Sequence, residues 1–213
     1  MILFDLDGTL VDTAPDLGYA LNLQRERHGL APLAMDLIRP YASHGSKGLL
    51  GVGFNLKPED AEFDAMRTEY LDLYDQVFAR SPVLFDGVAE LLQHLEQNGI
   101  AWGVVTNKPR RFSAPLLKAM QLDNRMACLV CGDDAVLPKP APDTLFMACE
   151  LADVKAVDCL YVGDAERDIE AGKAAGMKTV VAMYGYIDES DRTEAWGADF
   201  SIFHPVELIS LLA

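Results

Sequence analysis

The sequence predicts an α/β protein: a doubly wound, mainly parallel sheet covered by helices, with a small all-helical domain inserted near its start. Three observations carry this reading. Six short apolar runs recur along the chain, segments with apolar residues at three-and-four spacing lie between several of them, and one long interval breaks the alternation.

The first run is Ile2–Leu6, and the next comparable one, Ile100–Thr106, comes about 90 residues later, so the interval holds an insertion. Within it, Thr13-Ala-Pro-Asp16 resembles a capping box, with a hydroxyl at N-cap and a carboxylate at N3. It opens a helix through Leu17, Ala20 and Leu21 that stops at Gly29. Ser43-His-Gly-Ser-Lys-Gly48 reads as a small polar loop between helices. A second long helix starts near Pro58-Glu-Asp60 and repeats Phe63, Met66, Tyr70, Leu73, Tyr74 and Val77 on one face. The helical domain is expected over residues 13–81, leaving 1–12 and 82–213 for the sheet domain. There, Val88, Leu91, Leu92 and Leu95 mark a helix ending at Gly99, followed by the strand Ile100–Thr106. The strand Ala127–Cys131 precedes a helix after Pro142 carrying Leu145, Phe146 and Cys149. The strand Cys159–Gly163 leads into a helix with Ile169, Ala171, Ala174 and Ala175 that ends at Gly176; Thr179–Met183 and a weaker Asp199–Phe203 complete the set.

Composition narrows the function. With 213 residues, half of them apolar and 24% charged, the chain has the material for a real core, which argues against disorder and fibrous repeats. A formal net charge of −15 opposes phosphate backbones and anionic lipid, so neither nucleic acid nor a membrane is the expected partner. No apolar run reaches the roughly 18 residues of a membrane span and no leader pattern opens the chain, so a cytoplasmic protein is expected, as a monomer or small homo-oligomer. The four cysteines lie in or beside apolar stretches; Cys128-Leu-Val-Cys131 lacks a second ligand pair and reads as core thiols. His28, His94 and His204 have no ligand spacing. An acidic protein that handles an anionic substrate must recruit positive charge locally.

In a parallel sheet, ligands bind beyond the carboxyl ends of the strands, so the polar residues just after each run carry the chemistry. They are Asp5 and Asp7 with Gly8-Thr9, then Thr106-Asn107-Lys108, Lys139 between two prolines, and Gly163-Asp164 with Asp168. Two carboxylates two residues apart on an extended segment point the same way, and holding them close requires a shared proton or a cation. Asp164 from another strand end would complete an oxygen site suited to Mg²⁺. Thr106 also suits a helix N-cap, Asp168 suits a helix first turn, and Asp12 and Thr13 suit a helix start.

Asp5-Leu-Asp7-Gly-Thr9, Thr106, Lys139 and Gly163-Asp164-Ala-Glu-Arg-Asp168 resemble, in order, the four motifs of the haloacid dehalogenase superfamily, whose fold is Rossmann-like. The helical insertion after the first motif resembles the cap of its phosphoglycolate phosphatase-like subgroup. The resemblance implies a phosphomonoesterase: Asp5 as nucleophile forming an aspartyl-phosphate, Asp7 as general acid and then base. It also implies Mg²⁺ held by Asp5, the Asp7 carbonyl and Asp164, with Thr106 and Lys139 neutralising the phosphoryl oxygens and Asp168 in support. Asn107 joins Thr106 and Lys139 as a candidate substrate contact, and the cap would add His44 and Lys47. The segments Trp102–Pro109, Tyr184–Ile187 and Trp196–Asp199 are similar to a branch acting on a cell-wall sugar phosphate, so the implied substrate is a small phosphorylated metabolite, 2-phosphoglycolate or N-acetylmuramic acid 6-phosphate.

Three other readings stay open at this point. A metal-free dehalogenase would lack the second carboxylate, which Asp7 supplies. A phospho-acceptor signalling domain also groups Asp and Lys at strand ends but needs no insertion. A sugar phosphomutase would share the nucleophile and the cap, and dependence of turnover on a bisphosphate would reveal it.

Overall fold

A computed structural model describes residues 1–188 and 190–212 and divides into two compact units. One is Met1–Val11 with Leu84–Ala213, and the other is Asp12–Val83.

In chain order the elements begin with β1 (Ile2–Phe4) and β2 (Val11–Asp12), then α1 (Ala14–Arg27), α2 (Met35–Ile38), α3 (Gly45–Phe54) and α4 (Phe63–Val77). They continue with β3 (Val83–Leu84), α5 (Val88–Gln97), β4 (Trp102–Val105), α6 (Arg110–Ala119), β5 (Leu129–Val130) and α7 (Asp143–Ala152). β6 (Leu160–Gly163), α8 (Glu166–Ala174), β7 (Lys178–Ala182), β8 (Phe200–Ile202) and α9 (Glu207–Leu211) close the chain.

All six expected strands form one parallel sheet in the order β5-β4-β1-β6-β7-β8. β1 is internal because Ile2, Leu3 and Phe4 are apolar on both faces and buried on both, as a strand covered by helices on each side must be. The stripe Val88, Leu91, Leu92 and Leu95 is the buried side of α5. Leu145, Ala148 and Cys149 of α7 join Leu3, Val105, Tyr161 and Ala171 in one core cluster, whereas Phe146 is largely exposed, although the sequence spacing places it on the apolar face. Gly29, Gly99 and Gly176 take positive φ just past their helices. The cysteines are free and buried, and burial pushes the Cys128 thiol up to about 11 and those of Cys131 and Cys149 to about 12. β2 pairs with β3 in a separate two-stranded sheet that the sequence does not foretell, since two residues per strand carry no periodicity.

In the helical unit, α1 packs against α4. Gln24 is buried there, its amide donating to Met66 O at 2.8 Å and Glu69 Oε2 at 3.1 Å. Three expectations are corrected. Thr13 makes no side-chain cap bond, because its backbone is already helical (φ −99°, ψ −5°) rather than extended; Asp16 instead accepts from the Arg80 backbone N–H at 3.0 Å. Ser43–Gly48 is not a loop: a 3₁₀ turn runs from Arg39 to His44 and α3 begins at Gly45, whose φ of +58° makes the break that only glycine adopts cheaply. Lys47 therefore sits in the first turn of α3, and Leu49 and Leu50 behind it are buried. α4 starts at Phe63 rather than near Pro58, because Asp60 first closes a turn by accepting from Lys57 N at 2.7 Å. No helix among the described residues is long and apolar enough to cross a membrane.

Candidate active site

The register of β1 decides which side chains meet. Phe4 pairs with Val104 on one side and Val162 on the other, so Asp5, Thr106 and Asp164 emerge at the carboxyl ends of three adjacent strands. Their positions are fixed by the ladder: Asp5 N donates to Val162 O and Thr106 N to Val130 O, each at 2.9 Å. All three side chains are buried, as are Lys139 and Asp168.

Lys139 stands between two carboxylates. Its Nζ lies 2.9 Å from Asp5 Oδ1 and 2.7 Å from Asp168 Oδ1, and it donates hydrogen bonds to Val105 O at 3.0 Å and the Tyr161 hydroxyl at 2.7 Å. The loop presenting it is clamped through Asn107, whose Nδ2 donates to Lys139 O at 2.8 Å while its Oδ1 accepts from Lys139 N at 2.9 Å. The Asn107 side chain, a substrate contact in the sequence reading, is thus engaged at both ends with the backbone of Lys139. Arg110 straps the two loops again, its N donating to Asp133 Oδ1 at 2.8 Å and its Nε to Asp134 Oδ1 at 2.7 Å. Thr106 Oγ1 accepts from Lys108 N at 3.1 Å, which turns the chain toward α6.

The converging acidic oxygens are those of Asp5, Asp164 and Asp168, which lie within 4.8 Å of one another. The sequence reading groups the Asp7 carboxylate with Asp5 and Asp164; in the structure Asp7 Oδ1 instead receives a bond from Lys108 Nζ at 3.0 Å. Asp168 is committed to Lys139 and to Ala165 N at 3.1 Å. Asp164 is seated by a backbone bond from Tyr186 N at 2.9 Å and by the Thr9 hydroxyl at 3.4 Å. Gly8 makes room for it: with φ +85°, any Cβ there would fall 2.0 Å from Asp164 Oδ2. Oxygen donors alone, three buried acids and this glycine cradle fit a hard divalent cation such as Mg²⁺.

Electrostatics follow burial. Desolvation pushes the Asp5 carboxyl above the usual range, against the pull of Lys139. Burial acts the same way on Asp168, but Lys139 and Arg167 outweigh it and hold that carboxyl low. Arg167 is kept charged although burial opposes this, because Asp168, Asp5 and Asp164 surround it. Tyr161 is fully buried and stays a neutral phenol.

Three contributors escape the sequence reading as site residues: Tyr161, Arg167 and Tyr186; Lys108, read there among the polar residues after the second strand, pairs with Asp7. Arg167 stands beside Asp168, so nearness to the motif was the available signal. Tyr161 reads only as a strand residue, and Tyr186 acts through its backbone. His44 and Lys47 belong to the helical unit, at the end of the 3₁₀ turn and the start of α3.

Residues 2–182 match the family model described as haloacid dehalogenase-like hydrolase. The chain belongs to this family. It is 41% identical over 207 residues to the N-acetylmuramic acid 6-phosphate phosphatase of Pseudomonas putida, covering 97% of this chain and 93% of that protein. It is 40% identical to the phosphoglycolate phosphatase of Xanthomonas campestris pv. campestris, with the same coverage. The crystal structure of a predicted phosphoglycolate phosphatase from Haemophilus somnus 129pt superposes with a TM-score of 0.86 at 25% identity, covering all of this chain and 97% of that one. This haloacid dehalogenase-family protein is accordingly an enzyme, a phosphatase with an α/β fold.

Proposed function

We propose that this enzyme hydrolyses a small phosphomonoester, N-acetylmuramic acid 6-phosphate or 2-phosphoglycolate, with Mg²⁺ as cofactor. The observation that carries the reading is Asp5: a buried carboxylate at the end of the central strand, 2.9 Å from an ammonium, whose Oδ1 has no hydrogen-bond partner. A carboxylate oxygen in that state suits a nucleophile.

In this reading Asp5 Oδ1 attacks phosphorus and the ester P–O bond breaks, while Asp7 gives its proton to the departing alcohol. Asp7 then takes a proton from water, which attacks the aspartyl-phosphate, releases inorganic phosphate and restores Asp5. Lys108 holds the Asp7 carboxylate to one side at 3.0 Å. Lys139 and the Thr106 hydroxyl meet the phosphoryl oxygens, and Asn107 and Asp168 fix Lys139 in place. The second Asp5 oxygen, Asp164 and the Asp7 carbonyl would hold Mg²⁺, whose charge offsets that of the phosphoryl group. His44 and Lys47 would help select the leaving alcohol. Both relatives are named for phosphoesters that carry a carboxylic acid, which supports a substrate here with two acidic groups, a phosphate and a carboxylate. Phosphate release from N-acetylmuramic acid 6-phosphate, 2-phosphoglycolate and hexose phosphates, with and without Mg²⁺, tests this; no release from any ester would refute it.

A further inference from the structure

The Tyr161 hydroxyl lies in the middle of β6, one strand from Asp5, and is fully buried. It accepts from Lys139 Nζ at 2.7 Å, and its own O–H faces Val105 O at 2.9 Å and Asp168 Oδ1 at 3.4 Å; Val105 O also accepts from Lys139 Nζ at 3.0 Å. These two neutral oxygens therefore take hydrogen bonds from the ammonium. Asp5 Oδ1 is only 2.9 Å from the same nitrogen, yet is left without a hydrogen bond. Four acceptors compete for three N–H groups: Val105 O, Tyr161 Oη, Asp168 Oδ1 and Asp5 Oδ1. The arrangement is unusual, because a carboxylate so close to an ammonium normally captures a hydrogen bond in preference to a phenol.

We propose that Tyr161 is a positioning residue for phosphoryl transfer, holding a Lys139 N–H that would otherwise bond Asp5 Oδ1 and so keeping that oxygen's lone pair available for attack on phosphorus. The ammonium still stabilises the Asp5 charge through space, which lowers the energy of the anion without tying up the attacking electrons. The Tyr161 phenol stays neutral across the working range, since burial and the nearby carboxylates oppose its ionisation. The inference rests on the reading of Asp5 as nucleophile.

The test is a double-mutant cycle on Mg²⁺-loaded enzyme with p-nitrophenyl phosphate and one alkyl phosphoester. Tyr161→Phe keeps the ring and removes only the hydroxyl. Its kcat should fall on the order of tenfold to a hundredfold, as expected for one hydrogen bond to a charged group, with KM within about twofold. Against a Lys139→Ala background the same change should cost less than about twofold, because there is no ammonium left to redirect. Lys139→Met, which refills the volume, serves in its place if the alanine variant does not fold. An unchanged kcat in Tyr161→Phe, or an equal loss in both backgrounds, would overturn the proposal, the latter pointing to a packing role alone. If both Lys139 variants fail to fold, the single variant decides: a loss in kcat at constant KM supports the proposal, and a loss carried by KM overturns it. A wild-type enzyme inactive on every ester would instead remove the functional reading itself.

Discussion

Replacing Lys139 with alanine is expected to destabilise the protein as well as to slow it, and the site's geometry sets the size of both effects. The Lys139 side chain is completely buried, and its Nζ is 2.9 Å and 2.7 Å from carboxylates that are themselves buried. Its removal takes from the buried Asp5 and Asp168 the ammonium that contacts both, leaving them the field of Arg167, and breaking a buried ion pair in this way costs about 3–5 kcal/mol in comparable cases. For a chain of this size each kcal/mol moves Tm by about 2–4 °C, so the metal-free variant should melt roughly 6–20 °C below wild type at pH 8. The sign of the pH dependence follows from burial. Burial raises the Asp5 carboxyl even beside the ammonium, and losing Lys139 raises it further, so its penalty is full above the folded pKa and shrinks as pH falls toward the unfolded value. In wild type, the depressed Asp168 carboxyl contributes stability above the unfolded value and loses it as pH falls through its folded value. The Tm gap between variant and wild type should therefore narrow from pH 8 to pH 5. Calorimetry in EDTA measures it; a gap under about 2 °C at pH 8, or one that widens on acidification, would show that the ion triad is not what holds this region together. In kinetics, if the ammonium meets the phosphoryl group as proposed, the same variant should lose on the order of 30-fold to 1,000-fold on every phosphoester alike, because all of them share that group.

Three further outcomes are expected. Asp5→Asn should keep the fold and abolish turnover, and a residual rate above about a hundredth of wild type would remove Asp5 as nucleophile. Activity should vanish in EDTA and return with Mg²⁺ but poorly with Ca²⁺, and Mg²⁺ should raise Tm by mass action; full activity after exhaustive chelation would refute the metal site. His44→Ala and Lys47→Ala should change the ratio of kcat/KM between two phosphoesters that differ only in the leaving group, without changing the metal requirement, and equal losses on both esters would count against a role in substrate choice.

The strands and the gathering of polar residues at their ends are legible for the same reason: a parallel sheet buried on both faces must be written in short apolar runs, and its polar residues can appear only where those runs stop. β1 shows this directly, passing from Phe4 to Asp5 in one step. What the sequence hid was set by contacts between distant segments. The Asn107 amide matches the Lys139 peptide only because two loops 32 residues apart are brought side by side. Asp7 is paired with Lys108 across 101 residues of chain, which spacing along one strand cannot foresee. The capping box at Thr13 failed because local propensity proposes a cap, while a partner elsewhere, Arg80 N–H, claimed the carboxylate that would have completed it.

The distribution of charge in the site also bears on how an acidic protein can take an anionic substrate. The chain carries a net −15, and the cations of the site are matched with acids: Lys139 with Asp5 and Asp168, Lys108 with Asp7, and Arg167 in the field of Asp168, Asp5 and Asp164. The site thus presents little excess positive charge of its own. On the proposed reading, a phosphoryl group gains from Lys139 only to the extent that Asp5 and Asp168 stop sharing it, and a divalent ion among the same carboxylates is what loosens that sharing. Substrate affinity and metal affinity are then linked, so each should strengthen the other by the same factor. The dissociation constant of inorganic phosphate measured calorimetrically at zero and saturating Mg²⁺ should fall by at least about tenfold, a coupling of about 1.4 kcal/mol. Equal phosphate affinity in the two conditions would mean that Lys139 and Thr106 hold the anion unaided, and that the carboxylates around them are counterions without a part in recognition.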